Sequence, residues 1–189
     1  MTHQIAHSIS LFLCQKGEIE KEDTDIYEYG FEVFIDGVLE TLLLIAIGTI
    51  LNKFTHTIMF ISLFVILRNY TGGYHASTKL RCIFTTIMIY LCNIVMTEAD
   101  YNILIIISTM AYVLLFIYAP IENVNKQLEE STFIKNRRIS RIIGFICWAG
   151  ILLLKDSYEL MGSIAAVTLI QVTILIMVER GKGFYEKGD

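Results

Sequence analysis

Residues 102–120 read NILIIISTMAYVLLFIYAP, nineteen positions without a charge. At about 1.5 Å rise per residue, such a run matches the ~30 Å hydrocarbon core of a bilayer. In lipid only a helix satisfies its own backbone polar groups within one segment. Residues 160–178, LMGSIAAVTLIQVTILIMV, repeat the pattern. Working outward, four more apolar runs appear at 33–51, 54–67, 80–97 and 139–154. The second and fifth of the six in chain order are short, suiting tilted, re-entrant or interfacial helices. The expected fold is an all-α polytopic membrane bundle of about six spans, forming one domain over 1–189. Four spans with two surface or re-entrant helices is the alternative.

Composition agrees. Hydrophobic residues make up 54% of the 189 and charged residues 18%, with mean hydropathy +0.58. A soluble domain carries about a quarter charged residues, so a water-soluble globule is excluded. A single Pro and 12 Gly exclude collagen-like and mucin-like chains. The net charge of −4 argues against a nucleic-acid partner. Cys14, Cys82, Cys92 and Cys147 form no CxxC pair, so no zinc ribbon or redox motif is signalled. No metal and no cofactor are expected. Met1 to Leu13 carries no Lys or Arg, unlike a secretory signal.

The basic residues set the orientation. With both termini inside and six spans, 13 of the 15 Lys and Arg fall in cytoplasmic segments, leaving only Lys53 and Lys155 outside. This is the positive-inside asymmetry. Residues 1–30 then form a cytoplasmic interfacial region, with Ile5, Ile9, Phe12 and Leu13 as the apolar face of an amphipathic helix. His3 and His7 stand four apart without HExxH or a nearby acid in sequence, and read as interfacial polar residues. Glu28, Glu32, Asp36 and Glu40, also four apart, would line one helix face. That face reads either as a solvated stripe or as a carboxylate track for a basic part of a partner.

Chemistry concentrates in 68–82, RNYTGGYHASTKLRC, on the cytoplasmic side between the second and third spans. Gly72-Gly73 permits a sharp turn, and Ser77 or Thr78 can cap a new helix. Cys82 then sits one turn past the cap, near Lys79, Arg81 and Arg68, a setting that favours a thiolate. His75 and Cys82 would lie about 10.5 Å apart along one straight helix. A working pair therefore requires the helix to break between them. A Cys that is merely a small hydrophobe and a His that is merely interfacial form the bland alternative; Cys92 and Cys147 take that inert reading.

The run R-x3-GG-x-H-x6-C from Arg68 to Cys82 resembles the accessory gene regulator protein B family of membrane cysteine peptidases. Tyr29-Gly30-Phe31-Glu32 is similar to that family's Y-G-[apolar]-E motif, and 119–126, APIENVNK, to its AP-x-E-x-x-NK stretch. The family places Pro after that Lys, where this chain has Gln127. The resemblance implies Cys82 as nucleophile, His75 as base and then acid, and Arg68 and Gly73 as supporting positions. It further implies an AgrD-type pro-peptide substrate, cut to release a thiolactone signal, and a homodimer in the cell membrane. Lys126, Lys135, Arg137 and Arg138 could hold an acidic substrate tail, although the positive-inside rule alone explains them. No residue is identified as orienting His75; Glu40, Asn69 and Asn93 are candidates by chemistry only. A non-enzymatic exporter or signalling scaffold is the competing reading.

Overall fold

The computed structural model describes residues 2–74, 78–121, 129–155 and 158–185, the last four of these by backbone alone. Those residues form seven α-helices and no strand. They divide into a unit ending at Asn52 and a unit beginning at Lys53. Four helical segments are long and apolar enough to cross a membrane: Lys21–Ile50, Lys79–Met96, Tyr101–Tyr118 and Glu159–Gly181. The protein is an all-α, multi-pass membrane bundle.

In the first unit, α1 (Thr2–Gln15) packs on α2 (Thr24–Ile50). The small residues Ala6 and Ser10 are its buried contacts, while Ile5, Leu11 and Phe12 stay exposed, as an interfacial helix requires. The carboxylates do not form a freely solvated stripe. Glu28, Glu32, Asp36 and Glu40 are all partly covered, whereas Tyr29, Val33, Phe34 and Val38 are exposed. Glu28 is covered by α1, lying 3.2 Å from His3 Nε2 and 2.6 Å from His7 Nδ1. The acid missing near these histidines in sequence is supplied across the helix pair. Among the described residues, no group of three His, Cys, Asp or Glu could hold a metal ion.

In the second unit, α7 (Glu159–Tyr185) is the hub, packing against α3 (Phe54–Thr71), α4 (Lys79–Met96), α5 (Tyr101–Tyr118) and α6 (Glu130–Leu153). Its residues from Gly162 to Thr173 are buried without interruption. An apolar helix buried all round belongs at the centre of a bundle. By contrast α5 buries Leu104, Ser108, Ala111 and Leu115 and exposes Ile103, Ile106, Met110, Val113 and Ile117, an outer apolar face suited to lipid. The apolar runs at 54–67 and 139–154 are parts of longer helices, α3 and α6, whose ends carry polar residues. The stretch 130–138, which lies before the fifth apolar run, forms the opening turns of α6.

A buried polar cluster ties α3, α4 and α7 together. His56 Nε2–H donates to Asn93 Oδ1 at 2.9 Å. Asn93 Nδ2 donates to Gln171 Oε1 at 2.9 Å and to Thr168 Oγ1 at 3.2 Å. Gln171 Nε2 in turn donates to Ile89 O at 2.8 Å, and the Thr57 and Tyr90 hydroxyls meet at 2.6 Å. In a low-dielectric interior such a satisfied network fixes register more than it adds energy.

Candidate active site

Arg68 stands in the last turn of α3, and the helix stops at Thr71 because the next two residues leave α space. Gly72 has φ 66° and ψ −146°, and Gly73 has φ 117°. Both are conformations that side chains resist and glycine tolerates. The two glycines serve different neighbours. Gly72 lies against the segment following α5: Ile121 N–H donates to Thr71 O at 2.9 Å, and a Cβ on Gly72 would meet Ile121 O at 2.2 Å. Gly73 lies against α7, where a Cβ would stand 3.4 Å from Leu175 C and 3.5 Å from Ile176 N. That close approach lets Tyr74 N–H donate to Leu175 O at 3.1 Å.

Arg68 closes the turn. Its Nη2 donates to Tyr74 O, its Nη1 reaches Gly72 O at 3.5 Å, and its guanidinium lies 6.0 Å from the Phe64 ring centre. Gly73 belongs to the same cluster, since a Cβ there would come 3.1 Å from Arg68 Nη1. The backbone entering position 75 is thus held by a guanidinium, by the post-α5 segment and by a helix carbonyl. The partner segment is shaped by Pro120, which cannot continue a helix and holds Ala119 extended at φ −78° and ψ 147°.

Beyond 75–77 the chain re-enters helix at Lys79. Thr78 is the N-cap, its Oγ1 accepting from Arg81 N–H at 3.4 Å, as the sequence anticipates. Cys82 N–H donates to Thr78 O at 3.0 Å, so the thiol stands on the first turn of α4 at the positive helix end. Cys82 is in no disulfide and is half-buried. No continuous helix joins 72 to 82, which meets the geometric condition for cooperation between positions 75 and 82. His75 itself and Lys126 lie outside the described residues.

The remaining candidates separate. Lys135, Arg137 and Arg138 are exposed on the first half of α6. Arg141 of the same basic group is engaged elsewhere, donating from Nε to Phe116 O at 3.1 Å and lying 4.2 Å from the Phe116 ring centre. Asn93, eleven residues beyond Cys82 on α4, is about 16 Å along the helix axis and is committed to His56, Thr168 and Gln171. Asn69 is exposed at the end of α3, and Glu40 belongs to the first unit. The sequence reading missed Leu175 and the Thr71–Ile121 pairing. Both act through backbone atoms, which leave no mark on residue type.

The junction of 68–74 with 119–121 joins two of the three stretches that carry the family resemblance, and comparison with known proteins agrees on the family. The family model described as accessory gene regulator B matches residues 6–175. The chain belongs to the accessory gene regulator B family. Relatives include an AgrB-like protein of Listeria monocytogenes, 27% identical over 158 residues that cover 80% of this chain and 78% of the relative. An AgrB-like protein of Listeria innocua is 26% identical over the same coverage. One of Clostridium perfringens is 24% identical over 139 residues, covering 68% of this chain and 65% of the relative. No solved structure matches. Family membership assigns the protein to the accessory gene regulator quorum-sensing system, with a peptidase-type role.

Proposed function

We propose that the protein is a membrane-embedded cysteine endopeptidase that removes the C-terminal tail of an AgrD-type pro-peptide and promotes closure of the remaining segment to a thiolactone. The observation that carries this reading is the clasped turn at 72–74. It ends α3 ahead of position 75, and the extended Thr78 cap starts α4 after it, so no single helix carries both His75 and Cys82, and the thiol stands at a capped helix start.

The Cys82 thiolate attacks the scissile carbonyl, its proton having passed to the His75 imidazole. The C–N bond breaks, the imidazolium protonates the departing amine, and the signal segment remains on Cys82 as a thioester. A cysteine thiol within the bound peptide then gives its proton to His75 and attacks the thioester carbonyl. Cys82 leaves as thiolate, the peptide closes as a thiolactone, and the proton on His75 returns to Cys82. Thiol–thioester exchange is nearly balanced in energy, so ring closure requires exclusion of water and a held peptide conformation. A site at the bilayer edge suits both needs.

On this reading the active site and both termini are cytoplasmic, where the reducing environment keeps Cys82 out of disulfides. The exposed cations Lys135, Arg137 and Arg138 receive the acidic tail, with Lys126 a further contributor. A homodimer follows from the family resemblance. The test is co-expression of the cognate precursor with Cys82→Ala and His75→Ala variants, reading the released tail by mass spectrometry at matched membrane abundance. Both variants should release none. Wild-type processing by Cys82→Ala would end the peptidase reading.

A further inference from the structure

Side-chain contacts set α6 against α5 in an antiparallel register. Gly144 makes the approach close, since a Cβ there would stand 3.0 Å from Leu115 Cδ2 and 3.3 Å from Tyr112 Cδ2. Trp148 Nε1–H donates to Thr109 Oγ1 at 3.0 Å, and the Trp148 and Phe145 rings lie 5.7 and 6.4 Å from the Tyr112 ring. Arg141 continues the same face of α6 at helical spacing, which brings it to the last turn of α5. There it is half-buried, its Nε–H donating to Phe116 O at 3.1 Å and its guanidinium 4.2 Å from the Phe116 ring centre. Lys135, Arg137 and Arg138 on the same helix are exposed.

The oxygen that Arg141 takes is the one that position 120 leaves over. In a continuing helix Phe116 O would accept the N–H of residue 120, and Pro120 has none. An unpaired carbonyl at the end of an apolar helix is costly, and Arg141 supplies the missing donor from the side. The helix stop also releases the next donor. Ile121 N–H, which a continuing helix would direct at Ile117 O, goes instead to Thr71 O at 2.9 Å and pairs the chain with Gly72. Pro120 ends α5 and Arg141 satisfies that end, so together they free 119–121 to clasp the turn at 71–74. The motifs that carry the family resemblance do not include Arg141.

We propose that Arg141 is a positioning residue of the reaction. By capping α5 it holds the 119–121 segment against Thr71 and Gly72, and so holds closed the turn that leads into the catalytic segment. This rests on the peptidase reading above.

The experiment uses the full chain in native membranes supplied with the cognate precursor, and measures kcat and KM for tail release at matched protein abundance. Arg141→Met keeps the aliphatic stem but removes the donor and the charge. It should lower kcat about tenfold or more, as loss of a charged donor and a stacked cation implies, with KM nearly unchanged. Arg141→Lys, which keeps a donor and a cation, should retain more activity than Arg141→Met. In a Gly72→Ala background Arg141→Met should cost no more than about a further threefold, because both substitutions open one clasp. Position 121, half-buried, gives a readout apart from the chemistry. With Cys14, Cys82, Cys92 and Cys147 replaced by Ser, an Ile121→Cys thiol should react faster with N-ethylmaleimide once Arg141→Met is added. Wild-type kcat in Arg141→Met, with Cys82→Ala inactive, overturns the proposal and leaves the peptidase reading standing. A raised KM at unchanged kcat also overturns it, placing Arg141 with the cations that hold the tail. So do fully additive losses with Gly72→Ala, or an unchanged alkylation rate at position 121. Wild-type cleavage by Cys82→Ala would instead strike the peptidase reading itself.

Discussion

Replacing Gly72 by Ala isolates the clasped turn from every group with acid–base or nucleophilic chemistry. The new methyl would stand 2.2 Å from Ile121 O and 3.3 Å from Ile121 C, both backbone atoms that cannot swing aside. Holding Ala at φ 66°, ψ −146°, near the glycine-only region, costs about 1–3 kcal/mol. Relieving the overlap means separating the segments and giving up the Ile121 N–H to Thr71 O bond, worth about 0.5–1.5 kcal/mol. The total of roughly 2–4 kcal/mol lowers the population of the closed turn about 30- to 700-fold, at 1.4 kcal/mol per decade. Cleavage of co-expressed precursor, measured by mass spectrometry per molecule of membrane protein, should fall by a similar factor. Gly150→Ala is the matched control. Nothing lies within 4 Å of a Cβ there, and it sits in α6, where Ala is the better helix former. Gly72→Ala activity within threefold of Gly150→Ala would refute the idea that this turn organises the site.

Other substitutions probe separate parts. Arg68→Lys keeps the charge but replaces a two-pronged donor that reaches Gly72 O and Tyr74 O; cleavage should drop at least tenfold, and Arg68→Ala should be no better. Asn93→Ala strands the His56 and Gln171 side chains in the buried cluster, at a cost of about 2–4 kcal/mol. It should lower thermal stability in detergent while leaving Cys82 alkylation per folded molecule unchanged. Gly162→Ala would drive a methyl to 1.9 Å from the Tyr101 hydroxyl and disturb its 2.5 Å bond to Ile151 O. A lower melting temperature is expected, with Gly181→Ala, which meets nothing within 4 Å, as its unaffected comparison.

Hydropathy made the bundle legible because lipid imposes one rule on every spanning segment: the backbone must be satisfied within it. The uncharged runs at 102–120 and 160–178 accordingly become α5 and α7. The same rule says nothing about which helix is central. That assignment falls to α7, and the sign of it was present in Ser163, Thr168, Gln171 and Thr173, polar residues buried inside an apolar stretch. The extent of α6 was misread because Lys135, Arg137 and Arg138 look like loop residues, whereas they form the exposed polar half of a helix whose later turns are apolar.

At the site, the helix break, the Thr78 cap and the place of Cys82 were legible, since glycine pairs and hydroxyl caps act through local conformation. The reason for two glycines was not. One faces Ile121 and the other faces Leu175, and contacts between distant backbones leave no periodicity to read. The carboxylate stripe was visible as a pattern, but the covering of Glu28 by α1 depended on His3 and His7 meeting it from 21 or more residues away.

The most direct measurement traps the covalent intermediate. A precursor whose internal cysteine is replaced by Ala can acylate the enzyme but cannot close its ring. Membranes supplied with that precursor should yield a hydroxylamine-sensitive adduct, mapped by peptide mass spectrometry to Cys82 and missing from Cys82→Ala. An adduct on Cys14, Cys92 or Cys147, or tail release undiminished in Cys82→Ala, would contradict catalysis by this thiol.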